Sequence, residues 1–134
     1  MPTTSIGGKP ISTNSDLPAV GSTAPDFALT ASDLSDKTLA DFAGKKKILT
    51  VNRSYDTGVC QTSARTFNER VSSMDDVVVL VISADLPFAQ KRFCETDGLE
   101  GAVPLSTFRS RFLADYGLEL TASAMKGLSA RAVV

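Results

Sequence analysis

The sequence predicts an α/β domain with a partly parallel sheet. Two apolar runs rich in β-branched residues, at 48–51 and 77–82, have the composition of buried strands. Each run is followed by turn residues and then by a segment that reads as a helix. Strands that alternate with helices are typical of α/β folds, in which sites form at the carboxyl ends of the strands.

The helix predicted after each of these strands has its own sequence signal: an apolar face for the first helix and end residues for the second. We expect the first over residues 60–74, because Ala64, Phe67, Val71 and Met74 recur at helical spacing. The second is expected to begin at Asp85 and Pro87 and to end at Gly98, since these residue types favour the two ends of a helix.

The other segments give weaker signals. Residues 1–24 are polar and rich in Ser, Thr, Gly and Pro, so they predict at most a weak edge hairpin. The remaining predictions, in chain order, are a strand at 25–30, a short helix or turn at 34–42, a solvated lysine loop at 45–47, a strand at 103–108, a short helix around Phe112, Leu113 and Tyr116 that ends at Gly117, a flexible stretch at 118–127 and the opening of a strand at 131–134.

Length and charge limit the classes of function. The 134 residues are enough for one domain, over 1–134, with a real core. Fourteen basic against fifteen acidic residues give a net charge of −1, which does not favour nucleic acid or an anionic membrane surface as a partner. No apolar run approaches a membrane span, and the N-terminus lacks the pattern of a signal peptide. We therefore expect a cytoplasmic protein.

Two features of the composition limit the classes of catalysis and of metal site that this chain can support. The chain has no histidine, which excludes Ser-His and Cys-His catalysis and every histidine metal site. It has only two cysteines, Cys60 and Cys94, too few for a structural zinc site without other ligands. In a cytosolic protein such a pair is more often redox-active or catalytic than structural.

Cys60 falls in the first turn of the first predicted helix. There the unpaired backbone N–H groups and the helix dipole favour a thiolate over a thiol. Asp56 and Thr57 are good capping residues, and Gly58 permits a sharp turn. These features indicate a nucleophile, but buried cysteines commonly act as small hydrophobic residues. Position alone leaves both interpretations open.

Four segments of the sequence closely resemble the bacterial thiol peroxidase family, a group of atypical two-cysteine peroxiredoxins. They are DTGVC at 56–60, SADLPFAQKRFC at 83–94, LSTFR at 105–109 and KGLSARAVV at 126–134. The resemblance extends from about Gly21 to the last residue, and the segment 83–94 is highly specific to the family.

The resemblance implies a thioredoxin-like fold, with a central mixed sheet flanked by helices and an N-terminal β-hairpin. Relative to that fold, the last strand and the C-terminal helix are missing after Val134, which indicates a fragment of a longer protein. The implied activity is reduction of hydrogen peroxide and organic (alkyl) hydroperoxides without a metal or an organic cofactor. Members of the family are typically homodimers that thioredoxin recycles.

The resemblance also assigns roles to four residues. Cys60 matches the peroxidatic cysteine, which becomes a sulfenic acid, and Cys94 the resolving cysteine, which forms an intramolecular disulfide with it. Thr57 matches a threonine that hydrogen-bonds the thiolate and the peroxide, and Arg131 an arginine that stabilises negative charge. Because disulfide geometry is strict, we expect the two helices to unwind locally and the Cys94 segment to be mobile.

The sequence departs from the family at two places. Arg53 replaces a proline that fixes the active-site loop, and residues 120–125 lack a common Asp-Gly pair. Arg53 could lower the pKa of Cys60 or disturb the peroxide site. Arg65 is either a second cation near Cys60 or a solvated side chain.

These departures support an alternative function. In it, the chain is an impaired or truncated relative that acts as a redox sensor or binding module. A thioredoxin-type disulfide oxidoreductase is disfavoured, because Cys60 does not belong to a Cys-x-x-Cys pair.

Overall fold

Strands and helices alternate along most of the chain. The computed structural model describes residues 3–6, 8–71, 74–99, 101–121 and 124–134. The strands are β1 (Thr3–Ile6), β2 (Lys9–Ser12), β3 (Leu29–Ala31), β4 (Asp36–Lys37), β5 (Lys46–Val51), β6 (Val77–Ser83), β7 (Ala102–Ser106) and β8 (Ala132–Val133). The helices are α1 (Gly58–Val71), α2 (Pro87–Asp97) and α3 (Phe112–Asp115), with a 3₁₀ turn at Leu39–Phe42.

A six-stranded mixed sheet forms the centre of the fold. Its strand order is β4-β3-β7-β6-β5-β8. The three central strands, β5, β6 and β7, are parallel, while β3, β4 and β8 pair antiparallel with their neighbours. β1 and β2 form a separate antiparallel hairpin. The central mixed sheet flanked by helices and the N-terminal hairpin are confirmed.

Strand β6 divides the core into two clusters, because its side chains alternate between the faces of the sheet. Leu80 and Ile82 pack on one face with Phe112 of α3. Val79 and Val81 pack on the other face with residues of α1 and α2. The second cluster contains Cys60 and is contacted by Cys94, so the fold brings both cysteines to the same side of the sheet.

Several predicted boundaries were wrong. The strand expected at 25–30 is reduced to β3, and the expected lysine loop at 45–47 largely belongs to β5, which begins at Lys46. Helix α1 begins at Gly58 and ends at Val71. Met74 is exposed and lies beyond the helix, while residues 72 and 73 lie outside the described part of the chain.

The stretch 118–127 was predicted to be flexible, which was wrong for its described residues. Leu118 and Leu120 are buried in the core. The Leu120 N–H donates to the Leu128 carbonyl at 2.9 Å, and the Thr121 N–H donates to the Ser12 carbonyl at 3.1 Å. Residues 122 and 123 lie outside the described ranges. The described part of the stretch is therefore held by the core and by the N-terminal hairpin.

The described helices include no membrane-spanning candidate, since none combines the necessary length with sufficient apolar character. The longest of them, α1, has 14 residues.

Candidate active site

The turn between β5 and α1 carries the predicted nucleophile. Cys60 is the third residue of α1, as the sequence predicted. The Thr57 carbonyl accepts a hydrogen bond from the Gln61 N–H at 3.1 Å, which identifies Thr57 as the capping residue. The early N–H groups of the helix have no intrahelical acceptor, so the Cys60 sulfur lies where negative charge is favoured. The thiol is nevertheless buried, with 1% of the residue exposed.

The Thr57 side chain is engaged within the turn itself. Its hydroxyl donates to the Ser54 carbonyl at 2.9 Å. A hydroxyl has only one hydrogen to donate, so Thr57 would have to rotate in order to donate to a thiolate or a peroxide.

Asp85 fixes this turn from the neighbouring parallel strand. Its carboxylate accepts hydrogen bonds from the Ser54 hydroxyl at 2.7 Å and from the Tyr55 N–H at 2.8 Å. The Ser83 hydroxyl also donates to it, at 2.9 Å. Asp85 was predicted to mark a helix start, but the residue that caps α2 is Leu86. The sequence did offer a signal for this role, because Asp85 lies just beyond the carboxyl end of β6, the strand next to β5.

Tyr55 connects the turn to the second helix. Its ring stacks on Phe93 of α2, with centroids 5.1 Å apart and an interplanar angle of 13°. The Asn52 side-chain amide donates to the Tyr55 hydroxyl at 3.0 Å, and that hydroxyl lies within 3.3 Å of the Thr50 carbonyl oxygen. Burial raises the pKa of Tyr55, so the hydroxyl stays protonated near neutral pH. Tyr55 was not among the residues predicted for the site.

Cys94 lies late in α2, where the sequence placed it. It is half-buried, and both it and Cys60 are free thiols. Burial, followed by the negative charges of Asp97 and Glu95, raises the pKa of Cys94 from 9.0 to about 11. In this arrangement Cys94 is therefore a protonated thiol at neutral pH.

Arg131 lies on the side of β5 opposite to β6, one residue before β8. Strand β8 pairs Ala132 with Val51. Continuing that antiparallel register by one residue brings Arg131 opposite Asn52, immediately before Arg53. Arg131 and Arg53 line the same cavity.

Arg65 forms an ion pair that was not predicted from the sequence. Its Nε donates to the Asp97 carboxylate at 2.6 Å, and its guanidinium also donates to the Gln61 side-chain oxygen at 3.2 Å. It therefore links α1 to the end of α2 and is not a freely solvated side chain. Within the part of the chain that the structure describes, no group of three or more Cys, Asp or Glu could hold a metal ion.

Comparison with known proteins identifies the family to which the chain belongs. The sequence model of the Redoxin family matches residues 19–134. Two thiol peroxidases, from Streptococcus sanguinis and Streptococcus gordonii, are each 51% identical to the chain over 116 residues. These residues are 86% of this chain and 71% of each relative. The chain belongs to the thiol peroxidases.

Solved structures agree with the thiol peroxidase assignment. A peroxiredoxin-like protein from Aquifex aeolicus superposes with a TM-score of 0.88 at 36% identity, covering 98% of this chain and 77% of the other. A thiol peroxidase from Chromobacterium violaceum gives a TM-score of 0.85 at 25% identity, covering 96% and 75%. The chain thus has a thioredoxin-like fold and belongs to the oxidoreductases of the peroxiredoxin type.

Proposed function

We propose that this thiol peroxidase reduces hydrogen peroxide and organic hydroperoxides with Cys60 as the nucleophile and Cys94 as the resolving thiol. One observation carries the proposal: Cys60 occupies the first turn of α1 in the same apolar cluster that Cys94 contacts. A helix start favours the thiolate that peroxide chemistry requires, and a second thiol on the same face can intercept the oxidised product.

In the first step, the Cys60 thiolate attacks one peroxide oxygen. A sulfur–oxygen bond forms and the oxygen–oxygen bond breaks, so the sulfur loses two electrons and the peroxide gains them. The second oxygen leaves as water or an alcohol after it takes up a proton. Thr57 and Arg131 are the proposed donors to the charge that develops on the oxygens, because a hydroxyl and a guanidinium supply hydrogen bonds without histidine.

In the second step, the Cys94 sulfur attacks the sulfenic sulfur of Cys60. The disulfide bond forms and the hydroxyl group of the sulfenic acid leaves as water. The Tyr55–Phe93 stack holds α2 against the turn between β5 and α1, here called the catalytic turn. This step therefore requires α2 to unwind around Cys94. We propose that the dithiol of thioredoxin then reduces the disulfide by thiol–disulfide exchange.

We also propose that the protein is a cytoplasmic homodimer. Exposed apolar side chains follow each of the three parallel strands: Val59 after β5, Leu86 and Phe88 after β6, and Phe108 after β7. The carboxyl ends of parallel strands meet at one edge of the sheet, so these side chains favour an apolar contact surface there. The cytoplasmic location rests on the two free thiols, Cys60 and Cys94, which a reducing compartment preserves.

The burial of Cys60 and the presence of Arg53 favour one alternative function. With 1% of Cys60 exposed, a peroxide reaches the sulfur only after the first turn of α1 opens. If that opening is rare, the protein would be a slow redox sensor or a binding module and not an efficient peroxidase.

A free-thiol titration before and after one equivalent of hydrogen peroxide tests the proposal. We expect both thiols to be lost together, with a mass that corresponds to an intramolecular disulfide. The Cys60→Ser variant should keep its remaining thiol, while Cys94→Ser should form a sulfenic acid that a dimedone probe traps. Unchanged thiols in the folded wild-type protein would support the alternative.

A further inference from the structure

A polar cavity lies beside the catalytic turn and carries two arginines. Its volume is about 190 Å³, and Arg53 and Arg131 both line it. Three hydroxyl side chains complete its polar lining: Thr4, Ser5 and Ser129. The proposed reaction does not use Arg53.

In the described ranges of the chain, no acidic side chain lines this cavity. Elsewhere, Arg65 pairs with Asp97 and Arg109 pairs with Asp36. Among the described residues, neither cavity arginine has such a partner. Arg53 is half-buried, and the described residues do not supply the carboxylate that usually compensates a partly buried cation.

The backbone on both sides of the cavity is held by the sheet. The Asn52 N–H donates to the Ile82 carbonyl at 3.0 Å, directly before Arg53. On the other side, the pairing of Ala132 with Val51 fixes the backbone next to Arg131. Arg53 therefore lies two residues after β5 and Arg131 one residue before β8, so both are close to paired backbone.

We propose that Arg53 binds the carboxylate of a short organic hydroperoxide, while Arg131 beside it stays available to the peroxide oxygens, and that Arg53 so directs anionic peroxides to this enzyme. Guanidinium groups recognise carboxylates through paired hydrogen bonds, and the neighbouring hydroxyls can supply more. The cavity has the volume of roughly six water molecules, which suits a carboxylate with a few carbons. This inference rests on the proposed function, because it names the substrate class of that site.

Binding can be measured without turnover. Succinate is titrated into the Cys60→Ser protein, and binding is followed by NMR shifts of the backbone amides around the cavity. We expect saturable shifts and a loss of affinity of about tenfold in the Cys60→Ser protein that also carries Arg53→Gln. Arg53→Lys, which keeps the charge but not the planar fork, should fall between the two. Arg70→Gln, an identical charge change on exposed α1, is the matched control and should have no effect.

Kinetics then test whether the bound carboxylate belongs to a substrate. Peroxysuccinate and peroxybutyrate share the peracid group and nearly the same size, but only the former carries a carboxylate. We expect the enzyme to show a lower KM for peroxysuccinate, and Arg53→Gln to reduce this preference about tenfold. The preference should also weaken with added salt.

The outcomes separate this inference from the proposed function. Absence of saturable succinate binding, or an equal loss in Arg70→Gln, would overturn the anion site whatever the enzyme does with peroxides. Succinate binding without a preference between the two peracids would overturn the substrate assignment. If hydrogen peroxide does not oxidise Cys60 in the separate thiol titration, the proposed function fails, and the substrate assignment fails with it.

Discussion

The ring of Tyr55 lies stacked on the ring of Phe93, with 5.1 Å between their centroids. Tyr55 belongs to the turn that carries Cys60, and Phe93 immediately precedes Cys94. One aromatic contact thus joins the segments of the two thiols. Any motion that brings Cys94 to the Cys60 sulfur must disturb this contact, so the stack opposes the disulfide step of the proposed cycle.

Replacing Tyr55 should therefore change what becomes of the sulfenic acid. We expect Tyr55→Leu to increase the disulfide fraction and to decrease over-oxidation of Cys60 to sulfinic acid by up to about tenfold, because an aromatic pair contributes roughly 0.5–1.5 kcal/mol. Mass spectrometry after a hydrogen peroxide series measures both products. Tyr55→Phe keeps the ring and serves as the control. Equal behaviour of the two variants would exclude the stack as the restraint.

The raised pKa of Cys94 predicts a specific pH dependence. In the Cys60→Ser protein, alkylation of Cys94 by iodoacetamide should have its inflection near pH 11 instead of near 9. Glu95→Gln removes one of the negative charges that raise this pKa, so it should move the inflection to lower pH. An inflection near 9 in both proteins would contradict the burial of this thiol.

The same shift predicts how Cys94 affects stability. Folding favours the protonated thiol, so the stabilising effect is complete below pH 9 and is lost as the pH rises from 9 towards 11. The unfolding free energy, measured with urea at pH 8 and at pH 10.5, should therefore decrease less between the two pH values for Cys94→Ser than for the wild type. An identical loss in both proteins would argue against this linkage.

Asp85 should be important for the shape of the catalytic turn. Asp85→Asn replaces one of the two acceptor oxygens that bind Ser54 and Tyr55, so we expect a loss of roughly 2 kcal/mol in unfolding free energy. The rate of Cys60 oxidation should also change, because the turn positions the start of α1. Asp56→Asn alters an exposed carboxylate of the same turn and should leave stability within about 0.5 kcal/mol.

Gly117 is predicted to be intolerant of a side chain. Its φ is +70°, and an added Cβ would lie 2.2 Å from the Asp16 carbonyl oxygen. Gly117→Ala should therefore lower the unfolding free energy by roughly 3 kcal/mol or more. Gly127 has a φ of +90° but open space around it, so Gly127→Ala should cost only about 1 kcal/mol. Similar denaturant midpoints for the two variants would refute the steric explanation.

The proposed dimer surface gives a further prediction. Phe88 is 65% exposed at the start of α2, and Phe88→Glu would put a charge into an apolar contact. We expect sedimentation velocity to report a dimer for the wild type and a monomer for this variant. Val20→Glu introduces the same charge at an exposed position that does not belong to the proposed surface, and it should not alter the sedimenting mass. A wild-type monomer would contradict the proposal.

Local signals in the sequence were sufficient to predict the strand–turn–helix that presents Cys60. The apolar run of β5, the capping residue Thr57 and Gly58 are contiguous, and each favours the same structure. The ends of α2 were predictable for the same reason, since Pro87 and Gly98 have fixed preferences.

Features that depend on distant partners could not be predicted. The Asp85 carboxylate and the Tyr55 N–H are far apart in sequence, and only the parallel pairing of β5 with β6 brings their segments together. Leu118 and Leu120 lie between turn-forming residues, so their burial depends on tertiary packing and not on a periodic pattern. The cavity that joins Arg53 to Arg131 likewise requires the pairing of β8 with β5.

Because Cys60 is almost completely buried, its sulfur can also serve as a probe of local opening of the fold. A reagent such as a maleimide can modify it only while the first turn of α1 is open, in the same way that amide exchange records opening events. When closing is faster than labelling, the labelling rate gives the free energy of that opening, and at high reagent concentration it gives the opening rate itself. Comparing the opening rate with the turnover rate would reveal whether local opening of the native state, and not the chemical step, limits the rate at which peroxide is consumed.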